Sequence, residues 1–228
     1  TIIMNENQEE VEVAVDDTQE VVEEPQLTDE QKQSMMLRAS IVTPQDQERW
    51  PILEMESKVC ATPISEDDEN MIVFMDDVLN ELDEEAAGLA AIQVGYPKRI
   101  FLLRNGVNAD GEAFNNAYIN PTILFQSKDS KRGSEACLSL PGMGITHNRP
   151  KSVTLQYFDL SGELHNQTFT GFWAKAVAHE MDHLEGVMIN QHLEKQLGKQ
   201  SNRTKFGMKL TPQRRKAIAK RRKKKGQK

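Results

Sequence analysis

The chain has 228 residues and a formal charge of −7, enough for one ordinary domain with appendages. Two cysteines are too few for a disulfide framework, nothing reads as a secretory signal, and no apolar run approaches the ~20 residues of a membrane span. Neither a disulfide-stapled module nor a membrane-spanning helix is expected, and a reducing, cytoplasmic setting is the default expectation.

The average charge conceals three regions. Residues 1–50 hold 13 Asp/Glu against 3 Lys/Arg, residues 51–194 hold 22 against 10, and residues 195–228 hold 15 Lys/Arg and no acid. Such asymmetry points to appended segments with partners of their own. Thr1-Ile2-Ile3 precedes Met4, and Met4 is a candidate initiator. Residues 1–48 are rich in Glu, Asp, Gln and Val, without glycine, and read as an acidic, largely disordered arm with a short helix over Asp29–Arg38.

A folded domain over residues 49–194 follows. Ser65-Glu66-Asp67-Asp68 is a helix start, with acids in the first turn. Met71, Met75, Val78, Leu79 and Leu82 then form an apolar stripe at helical spacing. Gly88 marks a loop. Arg99–Leu103 is a short apolar run bounded by Pro97 and Asn105-Gly106, which predicts a strand. Ala117–Phe125 predicts another, interrupted at Pro121. Ser152–Phe158 and Leu164–Thr170, joined by Asp159-Leu160-Ser161-Gly162, read as a β-hairpin. A helix opened by Thr170-Gly171 and ended near Glu185-Gly186 follows. Antiparallel β-sheets around this central helix define an α+β, single-domain fold class.

That helix carries His179-Glu180-Met181-Asp182-His183, an H-E-x-x-H pattern in an apolar setting. Residues four apart share one helix face, so both imidazoles can meet one metal ion, with Glu180 placed as base for a metal-bound water. A catalytic site of this kind needs a third protein ligand. The candidate is Cys137 in Glu135-Ala136-Cys137-Leu138-Ser139, read as a loop; its bland alternative is a small buried apolar side chain. Two imidazoles and a thiolate suit a borderline or soft divalent cation such as zinc or iron(II). Ala86-Ala87-Gly88-Leu89-Ala90-Ala91-Ile92-Gln93 is a small-residue run permitting close backbone approach. It ends in an amide that can stabilise an oxyanion.

Taken together and in this order, the three segments resemble the motifs of the peptide deformylase family: G-x-G-x-A-A-x-Q over Ala86–Gln93, E-G-C-L-S over Glu135–Ser139 and Q-H-E-x-D-H over Ala178–His183. The resemblance extends over about Ile52–His192. It departs from the family pattern at Ala86 and Ala136, which stand for glycines, and at Ala178, which stands for glutamine. The two Gly→Ala changes add methyl groups near a cleft, and strain too if either position needs a positive φ. Lys175 lies one turn before His179, where relatives tend to carry an apolar residue near the substrate side chain. It reads either as a snorkelling or acid-contacting group or as an exposed stem.

The resemblance implies removal of the N-formyl group from the initiator methionine of nascent chains, with release of formate. Cys137, His179 and His183 would hold the metal and Glu180 would be the base. Gln93 and the Leu138 N–H would stabilise the oxyanion, and Gly88, Ala87 and Ala136 would flank an extended peptide. Iron(II) is the native metal the family implies, with zinc, nickel or cobalt as substitutes. Bacterial, organellar and viral sources are all compatible, with the acidic N-terminus counting against an organellar precursor. Lys195–Lys228 reads as a basic tail suited to ribosome or rRNA contact, with Gln213–Lys225 after Pro212 a candidate docking helix; its bland alternative is a solvated tail or a segment folded back on the acidic arm. The competing readings are another metal-dependent amidase or peptidase, and a catalytically weakened ribosome-binding protein.

Overall fold

The computed structural model describes residues 27–82, 86–107 and 113–194. The basic tail, most of the acidic arm, and residues 83–85 and 108–112 lie outside the described residues. Among these residues, no helix is long and apolar enough to cross a membrane.

The packed region starts earlier than residue 49. The expected short helix is α1 (Asp29–Ala39). Thr28 Oγ1 accepts from the Gln31 N–H at its start, and the Gln31 side chain accepts in return from the Thr28 N–H. Leu37, Ile41 and Val42 are buried. Acid-rich composition suggested disorder, but a single apolar contact row suffices when the polar face is also tied down. Ser34 and Arg38 both donate to Glu81 of α2 (Glu66–Leu82), at 2.6 and 3.1 Å.

Among the described residues, seven strands form two antiparallel sheets. One has the order β1 (Gly88–Ala90), β2 (Ile100–Val107), β3 (Ala113–Gln126), β6 (Ser152–Phe158) and β7 (Leu164–Thr170). The other pairs β4 (Ser130–Ala136) with β5 (Gly144–Pro150). Helix α3 (Gly171–Leu184) lies on one side of the larger sheet and α2 on the other. Strand β2 shows why its run is apolar throughout. Phe101 and Leu103 join Ala174, Val177, Met181 and Leu184 of α3 in one core, whereas Ile100 and Leu102 join Ile72, Met75, Val78 and Leu79 of α2 in a second.

Several boundaries differ from expectation. Gly88 opens a strand, not a loop. Strand β2 continues through Asn105-Gly106, its register shifting between Leu103 and Gly106. Strand β3 runs through Pro121, because a second register shift falls between Ile119 and Thr122. There Asn120 adopts a positive φ of 51°, and Pro121 has no ladder bond to lose. The Asn120 amide pins the preceding segment, accepting from the Cys60 N–H at 2.8 Å and donating to the Cys60 carbonyl at 3.0 Å.

Candidate active site

Three elements converge on one cleft. Helix α3 brings His179 and His183, one turn apart, with ring centroids 4.9 Å from each other. Its apolar face is fixed in the core by Ala174, Val177, Met181 and Leu184. Its end is set by Gly186 at φ 68°, where a β-carbon would stand 2.6 Å from the Glu54 carbonyl oxygen. Strand β4 brings Cys137, one residue past its end, so Glu135 and Ala136 belong to a strand where a loop was expected. Strand β1 and the 3₁₀ turn Ala91–Val94 bring Gly88 and Gln93.

The Cys137 sulfur lies 3.3 Å from His183 Nε2, and one ligand atom from each of Cys137, His179 and His183 falls within 4.8 Å of the others. Glu135 sits behind them. One of its oxygens is 3.3 Å from His179 Nδ1, which leaves Nε2 of that ring for the cleft. Burial opposes a charge on His179, but contacts with Cys137 and Glu135 outweigh it and raise its pKa to about 10. The position therefore favours a cation. His183 is held well below the ordinary histidine value by burial and by His179, and stays a neutral imidazole. His183 Nδ1 and Glu180 Oε2 are buried without a hydrogen-bond partner. A soft-plus-imidazole donor set, a cation-favouring position and a buried unpartnered carboxylate oxygen beside it fit a divalent metal.

Glu180 is buried, and burial pushes its pKa up to about 7, although His179 and Arg149 pull the other way. It reaches the cleft only because Gly88 has no side chain. A β-carbon there would lie 2.8 Å from Glu180 Oε1, 2.7 Å from Leu103 Cδ2 and 2.9 Å from the Leu102 carbonyl oxygen. Gln93 is oriented by the Ala90 N–H, which donates to its Oε1 at 2.9 Å. Its NH₂ therefore turns toward Ser139 Oγ, at 3.2 Å, and Cys137 Sγ, at 3.7 Å.

The cleft has a volume of about 490 Å³, and Ala86, Ala87, Gly88, Gln93, Ala136, Cys137, Leu138, His179 and Glu180 are among the residues that line it. His183 lies beneath, almost fully buried. Neither Ala86 nor Ala136 has a positive φ, so the methyl groups there impose no backbone strain. Lys175 shares the lining, donates to the Ser134 carbonyl at 2.8 Å and lies over the Phe172 ring.

The sequence gives no partner for Glu135, and the structure supplies a buried network. Arg149 donates to both Glu135 oxygens at 2.9 Å, to Asp182 at 2.6 Å and to the Ala178 carbonyl at 3.3 Å. His192 Nε2 lies 2.7 Å from the same Asp182 oxygen. Burial works against the Glu135 charge, but His179, Arg149 and His147 hold its carboxyl far below the usual range. One signal was available. Ile145, His147 and Arg149 alternate along β5 on its buried face, and a buried arginine requires a buried acid.

This fold and donor set define a class, an α+β hydrolase with a candidate metal site. A family-wide profile described as Polypeptide deformylase matches residues 40–199. The peptide deformylase of Caulobacter vibrioides is 36% identical over 139 residues, covering 60% of this chain and 80% of that protein. The crystal structure of peptide deformylase from Thermotoga maritima aligns with a TM-score of 0.57 and 30% identity, over 66% of this chain and 94% of its own. The Met-Ala-Ser-bound class I type b peptide deformylase from Acinetobacter baumannii aligns with a TM-score of 0.56 and 27% identity, over 66% and 95%. The chain belongs to the peptide deformylase family.

Proposed function

We propose that this chain removes the N-formyl group from the initiator methionine of nascent polypeptides, releasing formate. The observation that carries the reading is the buried, unpartnered Glu180 Oε2 beside the Cys137–His179–His183 donor set, in a cleft of about 490 Å³. Cys137, His179 and His183 would hold a divalent ion, iron(II) in the first place, with zinc, nickel or cobalt as substitutes. When bound, that ion polarises the formyl carbonyl and acidifies a water.

The rest is the work of the chain's own residues. Glu180, with a pKa near neutrality, takes the water's proton as the oxygen attacks the formyl carbon. The charge developing on the formyl oxygen is met by the Gln93 NH₂, already oriented by Ala90, and by the Leu138 N–H in the same wall. Glu180 then delivers its proton to the leaving amine nitrogen. Glu135 holds His179 by its Nδ1, fixing the ring's orientation. The peptide backbone lies beside Gly88, Ala87 and Ala136, between the unpaired edges of β1 and β4. The Met-Ala-Ser held by the Acinetobacter relative has the chemistry of the product.

The basic residues 195–228 suit contact with ribosomal RNA, which would place the enzyme where formylated chains emerge. A cytoplasmic location agrees with both parts of this reading.

The test is turnover of formyl-Met-Ala-Ser against acetyl-Met-Ala-Ser by protein whose metal is quantified in the same sample. Rapid release of formate with about one metal per chain and no release of acetate is expected. Cleavage of the acetylated or an internal amide at a comparable rate would mark a general amidase or peptidase. Full metal occupancy without turnover would mark a catalytically weakened protein.

A further inference from the structure

The cleft does not end at Phe172 and Lys175. Both also line a second depression of about 430 Å³, whose outer wall includes Lys131, Arg132 and Lys151. Residues 51–194 hold 10 Lys/Arg against 22 Asp/Glu, yet five of those ten, Lys131, Arg132, Arg149, Lys151 and Lys175, line this depression. Half the cations of an acidic domain thus gather at one depression.

Lys131, Arg132 and Lys151 of this set are available to a ligand. Arg149 is buried and engaged by Glu135 and Asp182. Lys151 reaches Asp129 at 3.6 Å in a pair exposed on both sides, which holds it weakly. Lys131 and Arg132 are exposed on β4 and have no ion-pair partner among the described residues. The Phe172 ring, 55% exposed, forms an apolar rim between the two depressions, with the Lys175 ammonium 5.3 Å from its centroid.

We propose that this cationic depression extends the substrate cleft and receives acidic side chains in the residues that follow the formylated methionine, so that the enzyme favours nascent chains carrying Asp or Glu there. The inference rests on the deformylase reading of the cleft. Continuity favours a peptide over a polynucleotide. A peptide anchored beside Glu180 passes a wall that Phe172 and Lys175 share with the depression, whereas RNA could lie on the outer face without engaging either. Two or three exposed ion pairs together give a preference of roughly three- to tenfold, screened by salt.

The experiment uses the metal-replete full chain. It compares kcat/KM for formyl-Met-Ala-Ser extended by three Asp, three Ala or three Lys residues, each normalised to formyl-Met-Ala-Ser itself. The Asp peptide is expected to exceed the Lys peptide by roughly tenfold at low salt, and the ratio to fall toward one at ~1 M salt. The exposed double variant Lys131→Glu/Arg132→Glu reverses the order. Anisotropy of a labelled, formyl-free Met-Ala-Ser-Asp-Asp-Asp reports the same loss of affinity without catalysis. Turnover of all peptides with equal normalised kcat/KM overturns the inference alone. So does a double variant that loses affinity for a single-stranded RNA oligonucleotide while the peptide ratio stays at one, which would assign the face to nucleic acid. No deformylation of any peptide overturns the underlying reading and the inference with it.

Discussion

The Arg149 guanidinium clasps both carboxylate oxygens of Glu135 at 2.9 Å, and Glu135 in turn stands 3.3 Å from His179 Nδ1. A strand outside all three sequence motifs thereby orients a candidate metal ligand through one intermediary. Lysine offers one ammonium where arginine offers a planar fork, so Arg149→Lys is not conservative here. It is expected to lower metal affinity or kcat by roughly 10- to 100-fold. Arg149→Met strips the guanidinium from two carboxylates, the buried Glu135 and the half-buried Asp182, leaving them only histidine partners, and denaturant unfolding should show a loss of about 3–5 kcal/mol. Chelator competition on the Lys variant reads the first effect, and unchanged metal affinity and turnover would remove Arg149 from the site's support.

Gly88 and Glu180 make the second close relationship. A β-carbon at 88 would stand 2.8 Å from Glu180 Oε1, and the Leu102 carbonyl at 2.9 Å blocks its other side. Gly88→Ala therefore displaces either the carboxylate or the β1–β2 pairing. A displacement near 1 Å costs a reaction roughly 100-fold, so kcat/KM should fall by about that factor in a protein that still folds and binds metal. Near-normal kcat/KM would show that Glu180 does not need this approach.

Asp68 provides a pH-dependent test of the fold away from the cleft. It is fully buried at the start of α2, and accepts from Tyr96 Oη at 2.7 Å and Ser65 Oγ at 2.8 Å, with Lys98 Nζ 3.5 Å away. Burial opposes its charge, yet these partners hold its pKa below the ordinary 3.8. A lowered folded-state pKa stabilises the native protein above the unfolded value, and that contribution disappears as pH falls below 3.8 and through the folded value. Asp68→Asn should cost about 1–3 kcal/mol at neutral pH. The gap between variant and parent in urea unfolding should narrow in acid. An equal gap at both pH values would contradict the account.

Much of the site was legible because local pattern fixes it. The spacing of His179 and His183 requires only a helix, and the apolar run before them provides one. The hairpin β6–β7 was legible from alternation and its turn. The β4–β5 hairpin was not, because Ser130–Ala136 is polar and its positions are mostly exposed, so no burial period marks it. Arg149, Asp182 and His192 acquire meaning only from tertiary contact, since each partner lies 10 or more residues away. Helix α1 was legible as a short helix over Asp29–Arg38, but its docking was not, because the Ser34 and Arg38 contacts with Glu81 join residues more than 40 apart.

The basic tail makes a prediction about salt. If residues 195–228, with fifteen Lys/Arg and no acid, make the proposed ribosome contact, that binding should weaken steeply with ionic strength. Sedimentation with ribosomes should show that binding lost on truncation after Lys195, with turnover of formyl-Met-Ala-Ser retained. Equal binding by the truncated chain would exclude the tail as the contact.

The central claim is that Glu180 moves the proton in a metal-dependent deformylation. The most direct measurement compares parent and Glu180→Gln at equal metal content, reading formate released from formyl-Met-Ala-Ser. The amide keeps the shape of the carboxyl but cannot accept the proton, so turnover should fall by roughly 100- to 10,000-fold with metal stoichiometry unchanged. A metal-replete Gln variant that works at a near-parental rate would contradict the role of Glu180 and the mechanism built on it.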